Sequence, residues 1–334
     1  MQQAALIAAH IRNADSILVV THANPDGDAV GSLGAMGHVL AALGKTFALY
    51  NISGVPGYLD WVPLPSAVVR TLPDVSFTPD LVIVLDCGDA HRAGEEFLAA
   101  LPGMKATVNI DHHLGNPNFG TAANWVDPTM AATGQMVAAV AHALDVQLVG
   151  NLATCLYVAL VSDTGSFSFG NTSAAVLALA SELVAGGVDV EAVTEHHDNQ
   201  WSLAKTRLWG RLMQDMELAY GDTVAVSVIT DDLLRACGAR RSDLEGFANQ
   251  MRRIRTVRIA LLVRDDAPGR CKVSMRSSGP DDVRAVAASF GGGGHRNAAG
   301  ITLEMDAAQG ARAVLAAIPA HMDLGHNQLD VQEA

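Results

Sequence analysis

The sequence predicts an α/β chain: an N-terminal, mostly parallel β-sheet flanked by helices, a helical linker, and a smaller α/β domain toward the C-terminal end. Three observations lead there. Short apolar runs alternate with amphipathic stretches through the first half, the pattern of βα units. Gly186-Gly187 then interrupts the chain ahead of a charged helical stretch. New apolar runs begin beyond it, and 334 residues at 49% hydrophobic content suffice for two buried cores.

In chain order, the first-half strands are SILVV (16–20), FALY (47–50), LVIVL (81–85) and TVNI (107–110). Helices are expected over 3–13, 29–43, 134–144, 152–162 and 173–185. Beyond the charged stretch come strands TVAVSVIT, VRIALLV and CKVSMRS. The division is therefore a first domain over 1–187, a helical linker over 188–218 and a second domain over 219–325, with a frayed tail after Leu324. No window approaches the ~18 unbroken apolar residues of a membrane span, and the start has no basic leader, so a cytoplasmic chain is expected. Cys87, Cys155, Cys237 and Cys271 show no CxxC spacing and read as buried thiols.

A net charge of −13 first argues against a nucleic-acid partner. Its distribution changes the argument. Residues 1–200 carry 5 basic against 19 acidic side chains, a balance of −14, while residues 201–334 carry 17 against 16, a balance of +1. The acid-rich half suits cations; the arginine-bearing half suits phosphate or carboxylate.

Ligands of open parallel sheets bind beyond the carboxyl ends of the strands. SILVV is followed by Thr21, His22, Ala23, Asn24, Pro25, Asp26, Gly27 and Asp28; LVIVL by Asp86; TVNI by Asp111, His112 and His113. Asp163 follows an apolar helix and opens a glycine- and serine-rich loop. So many carboxylates at one sheet edge repel one another unless a cation neutralises them. Carboxylate and imidazole together suit Mn²⁺, Mg²⁺ or another divalent ion, and the lack of cysteine among the candidate ligands argues against structural zinc. His22 and Asp26 flank a proline turn and can face one ion; Asp28 can face a second. The six candidates His22, Asp26, Asp28, Asp86, His112 and Asp163 exceed what one catalytic ion with open positions would take. Two ions ~4 Å apart would use them all and promote hydrolysis of a phosphoester.

These residues spell motifs. THANPDGDAVGS (21–32), LDCGDAHRAG (85–94), NIDHHLGN (109–116) and VSDTGSFSFGNTS (161–173) resemble the four motifs of the DHH phosphoesterase superfamily. FGGGGHRNAAG (290–300) resembles the glycine-rich motif of the DHH-associated C-terminal domain. The two-domain length is similar to that of the bacterial oligoribonucleases that degrade nanoRNA and dephosphorylate 3′-phosphoadenosine 5′-phosphate (pAp). The resemblance implies Mn²⁺ as cofactor, with His22 and Asp26 on one ion, Asp28, His112 and Asp163 on the other, and Asp86 bridging. It also implies that His113 contacts the scissile phosphate and that Asp111 orients the adjacent histidine. Substrates would be short RNA or DNA oligonucleotides, attacked from the 5′ end, and pAp; a homodimer is in keeping with the family.

In the second half, four glycines ahead of His295 suggest a loop whose backbone N–H groups approach a phosphate. The resemblance adds Arg276, with Ser277, Gly293, Gly294, His295 and Asn297, as the grip on the nucleotide and its 5′ end, and Arg92 after the second motif. Arg252, Arg253, Arg255 and Arg258 form the densest basic run, and Arg255 and Arg258 could line a groove between domains. His196-His197 is read as a surface pair; His10, His38 and His142 as structural; Trp201 and Trp209 as packed between domains. The main alternative is a phosphodiesterase for cyclic or linear dinucleotides, such as cyclic di-AMP or pApA, using the same site. A remote one is a non-catalytic nucleotide sensor.

Overall fold

A computed structural model describes residues 2–199 and 201–324, so the expected tail beyond Leu324 lies outside the described residues. The chain divides into two compact units, Met1–Gln200 and Trp201–Ala334.

The first unit is built from α1 (Gln2–Asn13), β1 (Ser16–Thr21), α2 (Gly27–Ala42), β2 (Thr46–Tyr50), β3 (Val68–Val69), β4 (Leu81–Leu85), α3 (Glu95–Ala100), β5 (Thr107–Asp111), β6 (Ala123–Val126), α4 (Thr133–Ala143), α5 (Gly150–Thr164), α6 (Ala174–Ala185) and α7 (Val190–His197). Its six strands run parallel in the order β3-β2-β1-β4-β5-β6. The order reverses at β1, so neighbouring crossovers leave toward opposite faces between β1 and β4. β4 is buried along its whole length, which is why LVIVL is apolar at every position rather than at alternate ones. One sheet face packs on α1, α2, α4 and α5 through a core that includes Ile17, Val19, Ile83 and Leu156. The other, through Leu18, Val20, Val82 and Val84, is covered by Phe97 of α3 and surrounding turns. The sequence reading lacks β3, β6 and α3, which are two, four and six residues long, too short to display a period.

The second unit comprises α8 (Leu203–Gln214), β7 (Glu217–Ala219), β8 (Val224–Ile229), α9 (Asp231–Cys237), α10 (Phe247–Met251), β9 (Ile259–Ala267), β10 (Arg270–Ser277), α11 (Val283–Ser289), β11 (Gly293–His295), β12 (Ala298–Leu303) and α12 (Ala307–Ala317). Its sheet order is β11-β12-β10-β9-β8-β7, antiparallel except for β8 beside β9. α11 and α12 cover one face, and α8 and α10 cover the β8–β9 part of the other.

Two expectations change. The stretch 188–218 holds two helices that belong to different cores: Val193 of α7 is buried in the first unit, while Leu208, Trp209 and Leu212 of α8 are buried in the second. Trp209 accordingly packs inside the second unit, edge-on to Phe247 at 5.2 Å, with its N–H donated to the Asp243 carbonyl at 2.8 Å. The glycine run is also not all loop. Gly293–His295 is a strand paired with β12, and a β-carbon on Gly294 (φ +136°) would stand 2.4 Å from the Ala298 carbonyl oxygen. Close backbone approach is thus one reason for glycine there. No helix among the described residues is long and apolar enough to cross a membrane.

Candidate metal centre

β1, β4 and β5 are adjacent, and their registers pair Thr21 with Leu85 and Leu85 with Ile110. The next residues, His22, Asp86 and Asp111, therefore emerge side by side at the carboxyl edge. Asp86 sits at φ +56°, in left-handed backbone that costs a non-glycine residue about 1 kcal/mol or more. Asp26 caps α2 by accepting from the Ala29 amide at 3.1 Å, and Asp28 lies in that helix's first turn. Asp163 comes from the last turn of α5, next to its left-handed C-cap Gly165.

The six candidates converge as two ligand sets. His22, Asp26 and Asp86 form one, and Asp28, His112 and Asp163 the other, with the donor atoms of each within 4.8 Å of one another. His22 Nε2 lies 3.5 Å from Asp86 Oδ2 and 3.9 Å from Asp26 Oδ1. His112 Nε2 lies 3.1 Å from Asp163 Oδ2, 3.6 Å from Asp28 Oδ2 and 3.5 Å from Asp86 Oδ1. Asp86 thus turns one oxygen to each set.

The imidazoles are oriented as metal ligands need. His22 Nδ1 donates to the Ala23 carbonyl at 3.0 Å, which leaves Nε2 buried without a hydrogen-bond partner. His112 Nδ1 stands 3.3 Å from the Met130 carbonyl, again turning Nε2 toward the carboxylates. A buried, unpartnered ring nitrogen facing carboxylates fits a divalent cation. Without a cation, burial disfavours the charged imidazolium of His22, yet the carboxylates of Asp26 and Asp86 override it and raise its pKa to about 10. His112 is likewise raised to about 10: burial opposes, while Asp163, Asp28 and Asp86 prevail. Asp28 is pushed up by burial and then by its neighbours Asp86 and Asp163, and Asp163 by burial and Asp86. The histidine shifts express an excess of negative potential, and on Asp28 and Asp163 that potential adds to the larger effect of burial.

A second layer holds these groups; the sequence points to Asp111 and Arg92 in it, but not to Thr133, Gly134 or Asn116. Asp28 accepts three hydrogen bonds, from Ser32 Oγ at 2.9 Å and from the Gly134 and Thr133 amides at 2.9 and 2.6 Å. The N-terminus of α4 can come this close because residue 134 is glycine: a β-carbon there would lie 2.4 Å from Ala159 Cβ. Asp111, fully buried, accepts from His113 Nδ1 at 2.7 Å and from Asn116 Nδ2 at 2.6 Å. It therefore orients His113, while the sequence neighbour His112 is held by Met130. Arg92 Nη1 reaches His113 Nε2 at 3.3 Å. The DHHLGN string contains Asn116, but its link to Asp111 is a tertiary contact that spacing does not reveal.

In the second unit, Arg276 on β10 and His295 on β11 both pair with Ala298 of β12, so they stand in one row and on one sheet face. Arg276 is half-buried, and burial followed by the nearby Arg252 lowers its pKa. Gly293, Gly294 and His295 are exposed. Ser277 is buried and donates to the Asp281 carbonyl at 2.7 Å; Asn297 Nδ2 donates to Ser277 Oγ at 2.9 Å and to that same carbonyl at 3.1 Å. Both are engaged within the unit. Arg258, offered as a groove residue, makes a paired contact with Asp281 at 2.8 and 2.5 Å, and Arg255 is exposed.

Residues 16–160 match the model of the DHH family, N-terminal domain, and residues 221–319 match that of the DHHA1 domain. The chain is 32% identical over 306 residues to the bifunctional oligoribonuclease and PAP phosphatase NrnA of Thermus thermophilus, covering 90% of this chain and 89% of that protein. Its identity to the Bacillus subtilis protein of the same description is 26%, covering 86% and 90%. Among solved structures, an exopolyphosphatase-related protein from Bacteroides fragilis superposes with a TM-score of 0.85 at 25% identity, covering 95% of this chain and 97% of that one.

Proposed function

The chain belongs to the DHH family, and from that premise we propose that it is a Mn²⁺-dependent phosphoesterase that hydrolyses short oligoribonucleotides and pAp. The observation that carries the reading is the pair of adjacent ligand sets with Asp86 between them, one oxygen toward His22 and the other toward His112. His22, Asp26 and Asp86 would hold one cation, and Asp28, His112 and Asp163 the other. When bound, the pair would supply Lewis acidity, activating water at neutral pH and neutralising phosphoryl charge.

The remaining residues bind and orient. Asp111 accepts from His113 Nδ1–H and orients the ring with Nε2 beside Arg92, where the imidazolium form, its charge offset by Asp111, would donate Nε2–H to a phosphoryl oxygen. Arg92 adds a second donor of fixed charge there. In the second unit the row of Arg276 and His295, beside the exposed Gly293 and Gly294, would take the substrate's terminal phosphate. Relatives described as oligoribonuclease and PAP phosphatase over nearly their full length support this substrate class. The charge division supports it as well: a −14 half disfavours long polyanions, whereas two or three phosphates need only a few arginines.

Turnover of pAp, of RNA two to five nucleotides long and of cyclic di-AMP, measured side by side with Mn²⁺ and with EDTA, tests the assignment. We expect pAp and the short RNAs to be cleaved only with the metal. Preference for the cyclic compound would move the assignment to a dinucleotide phosphodiesterase, and binding without turnover would make the chain a sensor.

A further inference from the structure

Thr133 opens α4, is fully buried, and touches both ligand sets. Its amide N–H donates to Asp28 Oδ2 at 2.6 Å, and its hydroxyl donates to Asp86 Oδ1 at 3.0 Å. Lone-pair accounting shows what these bonds decide. The carboxylate of Asp28 has about four acceptor positions. Ser32 and Gly134 fill two on Oδ1, and Thr133 fills one on Oδ2, so a single position remains, on the oxygen nearer His112. On Asp86 the Thr133 hydroxyl takes one position of Oδ1, leaving one toward His112 and both of Oδ2 toward His22.

We propose that Thr133 is a positioning residue that sets the orientation of the shared carboxylate Asp86 relative to Asp28, and so the spacing of the two cation positions. The inference rests on the metal-centre reading above. Asp86 has no other side-chain hydrogen-bond donor of this kind among the described residues; its remaining close partners are the imidazoles of His22, His112 and His113. Without the hydroxyl the carboxylate is free to rotate toward one ligand set at the expense of the other. The amide bond to Asp28 is made by the backbone and survives side-chain substitution, so the two contacts can be separated. Valine keeps the shape and removes only the hydroxyl, alanine removes the side chain beyond Cβ, and serine restores the donor.

The test is calorimetric titration of Mn²⁺ into the full chain and its Thr133→Val, Thr133→Ala and Thr133→Ser variants, with cation-free melting temperatures and kcat and KM on pAp alongside. We expect two ions per wild-type chain. Val and Ala should weaken the second ion about 10- to 100-fold, the range seen when a ligand's outer hydrogen-bond partner is removed. Their kcat should fall while KM changes little, and Ser should return both readouts to within about threefold. Unchanged Mn²⁺ affinity in Val and Ala, or a Ser variant as impaired as Val, overturns the inference. If Val does not fold, Ala against Ser decides by the same criterion. A wild-type chain that binds no Mn²⁺ overturns the metal-centre reading itself, a result distinct from wild-type binding that Thr133 substitutions leave untouched.

Discussion

Cation binding at this centre should release protons, and the size of the effect follows from the two histidines. In the cation-free chain His22 and His112 have pKa values of about 10, because surrounding carboxylates outweigh the penalty of burial. Both are therefore protonated at pH 7, whereas a ligating imidazole must be neutral. Vacating each ring therefore carries a deprotonation cost that falls as the pH rises. Raising the pH from 7 to 8 should thus strengthen each cation site about tenfold. The cation-free fold responds in the opposite sense. A histidine raised above its unfolded value of about 6.5 contributes stability that is complete below pH 6.5 and is lost as pH rises toward 10. Titration of Mn²⁺ at pH 7 and pH 8, in two buffers of different ionisation enthalpy, measures both affinity and protons released. We expect about two protons per two ions, and a cation-free melting temperature that falls between pH 6.5 and 9. Buffer-independent heats with affinity flat in pH would refute the reasoning.

Asp86→Asn should lower turnover of pAp by about 10³-fold or more, roughly 4 kcal/mol of barrier, in initial-rate assays, because it removes the carboxylate that stands between the two ligand sets. Gly134→Ala should destabilise the fold by about 1–3 kcal/mol in denaturant titrations, since its methyl would press on Ala159 and drive α4 from α5. Arg276→Ala should raise KM at least tenfold without changing the melting temperature. Ser277→Ala should do the reverse, costing about 1–3 kcal/mol of stability with KM unaltered, because its hydroxyl satisfies the Asp281 carbonyl and accepts from Asn297.

What the sequence displays depends on how local the physics is. LVIVL announces a strand buried on both faces, and an aspartate after it falls at the edge where parallel sheets bind ligands. His22, Asp26, Asp28, Asp86 and His112 could be gathered from strand ends, because a parallel sheet brings those ends to one side, and Asp163 from the end of an apolar helix. Thr133, Gly134 and Asn116 could not. Each looks like an ordinary helix start or turn residue, and its partner lies 105, 106 or 5 positions away through a fold that spacing does not encode. Ser277 and Asn297 show another side of local reading: they stand near an arginine and a glycine run, and the bonds of their side chains to Asp281 are tertiary contacts that spacing does not display. The stretch 188–218 shows the same limit, since Val193 and Trp209 declare their cores only through tertiary packing.

A two-cation centre acting on short phosphoesters should show itself in the length profile of hydrolysis of 5′-labelled oligonucleotides with and without Mn²⁺. We expect cleavage confined to a few nucleotides, falling steeply with length and abolished by chelation. Cleavage that persists without metal, or that is as fast on long strands as on short ones, would contradict it.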